Sequence, residues 1–199
     1  MRLFIAIWLA EETKRALVSL QEQVVEKFPE GRKLPADNLH LTLKFLGERP
    51  EDSLPELASC LEEVSRKFAP FVLEAKGAGV FPEKREVRLF WVGADGKGIP
   101  GAIYRNLEDL LENQGIKREG RFQEHITIVR FRRPPARGEI EKFVRQWEEK
   151  TFGKSPVTSL SLVESRLTPE GPVYTTLKNF TLTGKISTFA SPGGKHGQG

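Results

Sequence analysis

Two hydrophobic periods divide the chain into strands and helices. In LHLTLKFL, residues 39–46, apolar side chains alternate with His40, Thr42 and Lys44, which is the period-two pattern of a strand. In residues 11–28 the apolar side chains recur every three to four positions, which predicts an amphipathic helix. The same two patterns predict further strands at 3–9, 71–81, 86–93, 122–131, 156–167 and 173–184, and further helices near 53–68, 100–115 and 140–147.

Local signals refine this outline. Residues 3–9 are apolar on both strand faces, which is typical of a central strand covered on each side. Ser53 with Glu56 three positions later predicts a capping box for the second helix. Residues 31–38, GRKLPADN, are predicted to form a loop. The end of the chain, SPGGKHGQG, is predicted to be a flexible tail, and it contains His196.

The order of the predicted elements repeats. A strand and a helix are followed by a strand that begins His-aliphatic-Thr-aliphatic, then by a helix and another strand, in both halves of the chain. The phrase begins 39 residues after Met1 (40 minus 1) and 38 after Val87 (125 minus 87). This indicates a structural pseudo-repeat with an approximate two-fold axis. No linker separates the halves, so we expect two lobes of one unit.

Composition narrows the class of protein. With 199 residues, 38% apolar and 29% charged, the chain is typical of a globular domain, and its charge of +4 mildly favours a polyanionic partner such as nucleic acid. Cys60 is the only cysteine, so we expect no internal disulfide and a reducing, cytoplasmic compartment. The first apolar run, Leu3–Ala10, is too short to span a membrane, and we expect no membrane association.

The repeated phrase, HLTL at 40–43 and HITI at 125–128, carries the candidate chemistry. On a strand, side chains two apart share a face and lie about 6.6 Å from each other, so each His is beside its Thr. The hydroxyl can donate to a phosphate oxygen while the imidazole exchanges a proton near neutrality. Two such strands facing one cleft would place an acid and a base on opposite sides of phosphorus.

Other interpretations of the histidines are weaker. A single His-x-Thr on a strand is usually structural, but a second copy at the equivalent point of a pseudo-repeat argues against that interpretation. A zinc site would find only two ligands in the phrases, with no Cys or Asp at ligand spacing. The chain also has no G-x-S-x-G elbow and no phosphate-binding loop of the G-x-x-x-x-G-K-[ST] type.

In these motifs the chain resembles the LigT-like 2H phosphoesterases, and most of all their RNA 2′,3′-cyclic phosphodiesterase branch, historically called 2′-5′ RNA ligases. The resemblance covers residues 1–184 and rests on MRLFIAI, LHLTLKFLG, FPEKREVRLFWVG, EHITIVRF and SRLTPEGPVY. It implies an α+β, bilobal fold of two antiparallel sheets with outer helices around a central catalytic cleft. We therefore expect one domain over 1–184 and a tail over 185–199.

The resemblance also implies roles. His125 would activate water against a terminal 2′,3′-cyclic phosphate, and His40 would protonate the departing 3′ oxygen to leave a 2′-phosphomonoester. Thr42 and Thr127 would bind the phosphate. The implied enzyme needs no metal or cofactor, acts on RNA as a monomer, and could run in reverse to form a 2′-5′ linkage. The open alternatives are a 2′-5′ oligonucleotide or nucleotide cyclic phosphodiesterase, and a non-catalytic RNA-binding module.

Further residues are candidates for contacts with RNA. Arg130 points away from His125 under strict alternation, but a bulge or strand end could turn it into the cleft. Tyr174, after PEGP, could stack on a base. Phe45 and Trp91 could do so too, although their apolar strands favour a place in the core. Three other cations near the motifs are weaker candidates: Lys44, Arg132 and Arg133.

Overall fold

The computed structural model describes residues 1–83, 85–169 and 171–187. Within these residues the strands are β1 (Arg2–Trp8), β2 (Gly31–Lys33), β3 (His40–Glu48), β4 (Phe71–Phe81), β5 (Leu89–Asp95), β6 (His125–Phe131), β7 (Thr151–Val157), β8 (Ser159–Thr168) and β9 (Gly171–Thr181). The α-helices are α1 (Glu11–Lys27), α2 (Leu54–Ser65), α3 (Ile99–Glu112) and α4 (Arg137–Arg145). The predicted order of helices and strands is confirmed.

The strands form two antiparallel sheets, which confirms the predicted α+β class. The four-stranded sheet has the order β3-β1-β8-β9, and the five-stranded sheet has the order β2-β6-β5-β4-β7. The motif strands β3 and β6 each pair with the strand that precedes them in the repeat, β1 and β5. The two motif strands are therefore paired in the same way with their preceding strands, although β3 is an edge strand and β6 also pairs with β2.

The sheets are not built from consecutive halves of the chain. β4, from the first half, lies in the five-stranded sheet, while β8 and β9 return to complete the four-stranded sheet. Helix α1 follows β1 of one sheet but packs against β2, β6 and β7 of the other. Segments from both halves of the chain therefore cross between the two sheets.

A hydrophobic core that spans both sheets holds the motif strands in place. The aliphatic residues between each His and its Thr, Leu41 and Ile126, are completely buried in the same cluster as Ile5 and Phe90. Burial of an aliphatic side chain of this size contributes about 1.5–3 kcal/mol. Register is thereby fixed, because a slip of one residue would move Leu41 or Ile126 into the cleft and the imidazole into the core.

Three local predictions were wrong. Residues 31–33 form β2, too short for an alternating pattern, where a loop was expected. One strand was predicted over 156–167, but β7 covers Thr151–Val157 and β8 covers Ser159–Thr168. Gly153 and Pro156 obscure the pattern of β7, and Pro156 is tolerated because β7 is an edge strand. The hydroxyl of Ser53 donates to the carbonyl of Pro50 (2.7 Å) and makes no capping bond, because a short 3₁₀ turn precedes α2.

The chain after β9 returns to the body of the protein. The N–H of Ile186 donates to the carbonyl of Lys67 (3.1 Å), and the N–H of Ala69 donates to the carbonyl of Ile186 (3.0 Å). Ile186, which the sequence assigned to the tail, therefore contacts the segment that follows α2. The remaining tail prediction, including His196, falls on residues 188–199 and lies outside the described residues.

Candidate active site

Both motifs line one cleft of about 570 Å³ between the sheets. Its walls include His40 and Thr42 from β3, and His125 and Thr127 from β6. The strands β3 and β6 contact each other directly, although they belong to different sheets. The two phrases of the sequence are therefore brought to a single site, with one His-Thr pair on each side.

A backbone carbonyl two residues earlier orients each imidazole. Nδ1 of His40 is 2.6 Å from the carbonyl oxygen of Asn38, and Nδ1 of His125 is 2.8 Å from that of Gln123. A carbonyl only accepts, so Nδ1 carries the hydrogen and donates. In the neutral ring, Nε2 then holds the lone pair. Both histidines thus have Nε2 as their basic nitrogen.

Burial keeps both imidazoles neutral in the free protein. Burial is the largest cause that lowers the pKa of His40 to about 4, and it is lowered further by the positive charge of Arg130 and by the charge that His125 carries when protonated. Burial is also the largest cause that lowers the pKa of His125, again helped by Arg130. Both shifts follow because an imidazolium loses hydration in an apolar setting and is repelled by nearby cations.

The surroundings of the two rings differ. Three aromatic rings lie with centroids 5.0–5.5 Å from that of His40: Phe4, Trp8 and Tyr174. Two lie near His125, Phe81 at 5.2 Å and Trp91 at 6.3 Å. The first imidazole therefore sits in the larger aromatic cage.

The threonines also differ. Oγ1 of Thr42 is 2.9 Å from Nε2 of His40, and with Nδ1 protonated this hydroxyl must be the donor. Among the hydrogen bonds of the described residues, none joins Thr127 to Nε2 of His125. Within the described residues, the lone pair of His40 is held by Thr42, while that of His125 is not held by its own motif.

Each motif strand contains a bulge just after its threonine. In the β1–β3 pairing the register shifts between Ile5 and Ala6, opposite Leu43. In the β5–β6 pairing it shifts between Phe90 and Trp91, opposite Ile128. A bulge inserts one extra residue and reverses the alternation beyond it. The fifth residue of each phrase is therefore buried, and the sixth faces the cleft.

The bulge brings Arg130 into the site. Its side chain is exposed and lines the cleft with His125 and Thr127, as the sequence predicted for a bulged strand. It forms no hydrogen bond or ion pair with any residue that the structure describes. Its charge acts on both imidazoles. A cation in this position is available to an anionic ligand.

The bulge makes the prediction for Lys44 wrong. The Lys44 side chain is 1% exposed, and its Nζ lies 2.6 Å from Oε1 of Glu108 on α3. It also donates to the carbonyl of Lys117 at 3.0 Å. Lys44 is thus a buried structural cation that joins β3 to the segment leading into β6, and it is not available to RNA.

Of the aromatic candidates for contacts with RNA, some line the cleft and one does not. Phe45, predicted to lie in the core, is 57% exposed and lines the cleft, because the bulge turns it outward. Tyr174 lines the cleft beside His40, and burial raises the pKa of its phenol. Trp91 stacks on Phe81 with ring centroids 5.2 Å apart and is not among the described cleft-lining residues, consistent with a packing role. Arg132 and Arg133 are exposed but also lie outside the described lining.

Sequence reasoning missed the groups that orient the histidines. The carbonyls of Asn38 and Gln123 left no signal, because any residue supplies a carbonyl. Asn38 contributes further: its side-chain amide donates to the carbonyl of Pro172 (2.9 Å), which ties the start of β3 to the hairpin that carries Tyr174. In both motifs the orienting carbonyl lies two residues before the His, so the two halves of the chain share this contact as well.

Two features are absent from the part of the chain that the structure describes. Over residues 1–83, 85–169 and 171–187, no three side chains of His, Cys, Asp or Glu are grouped as the ligands of a metal ion would be. Over the same residues, no helix has the length and apolar character needed to cross a membrane.

Two imidazoles with neighbouring hydroxyls and a cation, facing one cleft, form a site of the phosphoryl-transfer class. The sequence profile described as LigT like phosphoesterase matches residues 7–91 and 101–174. The chain therefore belongs to the LigT-like phosphoesterase family. The match includes both His-x-Thr motifs.

Individual relatives agree with this assignment. The chain is 36% identical to an RNA 2′,3′-cyclic phosphodiesterase of Thermus thermophilus, over 93% of this chain and 92% of that protein. It is 32% identical to one of Methanocaldococcus jannaschii, over 90% and 100%. Among solved structures, that of a Thermus thermophilus protein has a TM-score of 0.80 with 35% identity, covering 93% and 100%. Escherichia coli LigT in complex with 3′-AMP has a TM-score of 0.73 with 27% identity, covering 92% and 98%.

Proposed function

We propose that this protein hydrolyses the 2′,3′-cyclic phosphate ends of RNA to 2′-phosphomonoesters. The observation that carries the proposal is the convergence of His40 and His125, with their threonines, on one cleft that also contains Arg130. The relatives named RNA 2′,3′-cyclic phosphodiesterase support the same substrate. A binding module would need the cation but has no use for two imidazoles with lowered pKa values.

His125 is the proposed base. Its ring is held by Gln123 with Nε2 unprotonated, and its lowered pKa keeps it so at neutral pH. A water in the cleft gives its proton to Nε2 of His125 as its oxygen attacks phosphorus. The bond from phosphorus to the 3′ oxygen breaks on the opposite side. The choice of His125 as base follows the family resemblance, since the same backbone contact at Nδ1 orients both rings.

His40 is the proposed acid, and Thr42 couples its protonation to phosphate binding. The bound phosphate carries a negative charge, which raises the pKa of a nearby imidazole. When Nε2 of His40 gains a proton, it no longer accepts from Thr42, so that hydroxyl is released to donate to a phosphate oxygen. The imidazolium then donates to the departing 3′ oxygen. A low intrinsic pKa makes it a strong acid for this step.

Arg130 and Thr127 are proposed to hold the non-bridging phosphate oxygens. Arg130 has no partner among the described residues, so it is free to form a charge-assisted hydrogen bond with the ligand. Because the imidazoles carry both proton transfers, the proposed reaction needs no metal or cofactor. Tyr174, beside His40, is proposed as a contact to the nucleoside. The reverse reaction would join a cyclic end to a 5′-hydroxyl through a 2′-5′ bond.

The remaining sequence predictions belong to this proposal. We propose a monomer, because one chain supplies both motifs to the cleft. We propose a cytoplasmic location, on the grounds of the single cysteine and an RNA substrate. Residues 1–184 are proposed as one domain, on the grounds of the core shared by both sheets.

The test is a short RNA that ends in a 2′,3′-cyclic phosphate, incubated with the pure protein in EDTA. We expect a 2′-phosphate product from the wild type, and at least roughly 100-fold slower turnover by His125→Ala. The position of the phosphate is identified by its sensitivity to a phosphatase that removes only 3′ phosphates. Loss of activity in EDTA with recovery on adding zinc or magnesium would overturn the metal-free reaction. An unchanged cyclic end would overturn the proposed function.

A further inference from the structure

Arg2 brings a second positive charge to the cleft, on the wall formed by the four-stranded sheet. It lies at the start of β1, where Leu3 and Ile5 pack in the core and Phe4 between them faces the cleft. Side chains two apart on a strand share a face, so Arg2 points the same way as Phe4 and also lines the cleft. The reaction proposed above uses Arg130 and leaves this second arginine without a function.

The guanidinium of Arg2 is available to a ligand. It is exposed and forms no hydrogen bond or ion pair with any residue that the structure describes. The carboxylates that neighbour it in the sheet engage other groups. Oε2 of Glu48, the residue that pairs with Arg2, lies 3.7 Å from the N-terminal amine. Oε2 of Glu164, which pairs with Leu3, accepts from the guanidinium of Arg166 at 3.3 Å.

Arg2 stands apart from the place where the phosphate reacts. Burial is the largest cause that lowers the pKa of both imidazoles and Arg130 adds to it, but Arg2 is not among the charges that act on them. Burial raises the pKa of the Tyr174 phenol, and the charges of Arg130 and Arg2 both oppose that rise. Of the two arginines, only Arg130 therefore serves the histidines, while both are felt at Tyr174.

The register of β1 and β3 indicates how far apart the two positions are. Thr42 pairs with Ala6, which lies four residues along β1 from Arg2. The Cα atoms of Arg2 and Ala6 are therefore roughly 13 Å apart along the strand. The long side chain of Arg2 spans part of this distance, and the remainder suits one ribose between a phosphate held at Thr42 and a second phosphate held at Arg2.

An RNA end has two phosphates on its last ribose. The cyclic phosphate joins the 2′ and 3′ oxygens, and the ordinary phosphodiester joins the 5′ oxygen to the preceding nucleotide. Each is an anion, and a guanidinium binds a phosphate through charge-assisted hydrogen bonds that can be bidentate. A nucleoside 2′,3′-cyclic phosphate with a free 5′-hydroxyl has only the first of these anions, so it could use only one of the two arginines.

We propose that Arg2 binds the 5′ phosphodiester of the terminal nucleotide and so makes the site specific for RNA ends over free nucleoside 2′,3′-cyclic phosphates. This inference rests on the proposed function. Arg130 holds the phosphate that reacts, and Arg2 holds the phosphate that links the last nucleotide to the rest of the RNA. Because a backbone phosphate carries no sequence information, this contact is the same for every RNA.

The test uses four substrates that all carry a 2′,3′-cyclic phosphate. Two are adenosine 2′,3′-cyclic phosphate with a 5′-hydroxyl or a 5′-phosphate, and two are dinucleotides with a normal or a neutral methylphosphonate linkage. For the wild type we expect kcat/KM about 10-fold higher with a charged 5′ group, the lower end for a hydrogen bond to a charged group, because Arg2 is exposed. Arg2→Ala should abolish this preference by slowing only the two charged substrates, and Arg2→Lys should retain part of it.

A matched control removes another exposed cation. Arg166→Ala, on β8 and outside the described cleft lining, should change none of the four rates. An equal loss with Arg2→Ala on all four substrates, or none on any, would overturn the proposal. So would a wild type that does not distinguish the normal linkage from the methylphosphonate, a comparison that needs no variant to fold.

Failure of the proposed function itself would look different. A wild type that leaves all four cyclic phosphates intact refutes the proposed hydrolysis. Binding of adenosine 2′,3′-cyclic phosphate with and without its 5′-phosphate, measured by calorimetric titration of the wild type and Arg2→Ala, then tests Arg2 separately. We expect the 5′-phosphate to tighten binding about 10-fold in the wild type and not in Arg2→Ala. Equal affinities for the two ligands in the wild type would overturn the role of Arg2.

Discussion

The two motif strands have the same backbone and different surroundings. Each histidine is oriented by the carbonyl two residues before it, and each strand is bulged after its threonine. Beyond the bulge, the first strand buries Lys44 and exposes Phe45, where the second buries Val129 and exposes Arg130. The repeat therefore preserves which positions are buried and which face the cleft, while the residues at those positions differ.

The two walls of the cleft therefore differ in chemical character. Arg130 on one wall supplies the positive charge, and its field lowers the pKa of both imidazoles. The other wall supplies apolar surface, in Phe45 and the aromatic rings around His40. A symmetric pair of strands thereby provides an asymmetric site, as a nucleotide with a charged and an aromatic end requires.

The largest effect should come from the histidines. We expect His40→Ala and His125→Ala each to lower kcat by about 10²- to 10⁴-fold, because general acid and base catalysis contribute that much. Stopped assays on the cyclic-phosphate RNA measure it. An aryl phosphodiester, whose leaving group needs no proton, distinguishes the roles: it should restore turnover to His40→Ala but not to His125→Ala. Rescue of the opposite variant would exchange acid and base.

The next effect is on the stability of the protein and concerns Lys44, which takes the position that Val129 has in the second motif. Removal of one partner of a buried ion pair costs about 3–5 kcal/mol, so Lys44→Ala should lower the free energy of unfolding by that amount, since Glu108 is 3% exposed. Urea denaturation measures it. Arg118→Ala, which breaks exposed pairs with Asp109 and Glu112, should cost under about 1 kcal/mol. Equal costs for the two variants would refute the structural role of Lys44.

Arg130 should affect both rate and pH dependence. We expect Arg130→Ala to lower kcat/KM by about 10- to 100-fold, through loss of a charge-assisted hydrogen bond to phosphate. Its positive charge lowers both imidazole pKa values, so its removal must raise them and move the kcat/KM profile to higher pH. Arg132→Ala, which removes a neighbouring exposed cation, should leave the profile in place. A shift to lower pH would contradict this account.

The smallest effect should appear in the threonines. Thr42→Val removes a donor to neutral His40, so the pKa of that imidazole should rise by up to about one unit, the equivalent of one hydrogen bond. Thr127→Val should leave the pKa of His125 unchanged in the free protein. Titration of both rings by NMR measures the difference. Equal responses of the two histidines would show that the threonines are equivalent after all.

The sequence was sufficient for what depends on residue type and period. It predicted the two motif strands and the equivalent positions of His40 and His125, whereas the cleft between two sheets was implied by the family resemblance. It went wrong at Lys44 and Phe45, because the bulge after Thr42 reverses the alternation on which their placement was based. Arg130 was placed correctly only because a bulge was considered there. The sequence alone cannot locate a bulge, since it is set by the pairing of two strands distant in the chain.

The most direct test of the central claim, that both histidines act on one phosphate, is the double variant His40→Ala/His125→Ala. Turnover of the cyclic-phosphate RNA by the double variant is compared with that of each single variant, with folding checked by thermal denaturation. Residues that act as a unit are not additive, so the account predicts a double variant no more than a few-fold slower than the slower single variant. A loss equal to the product of the two single losses would mean that the histidines act independently, and would contradict it.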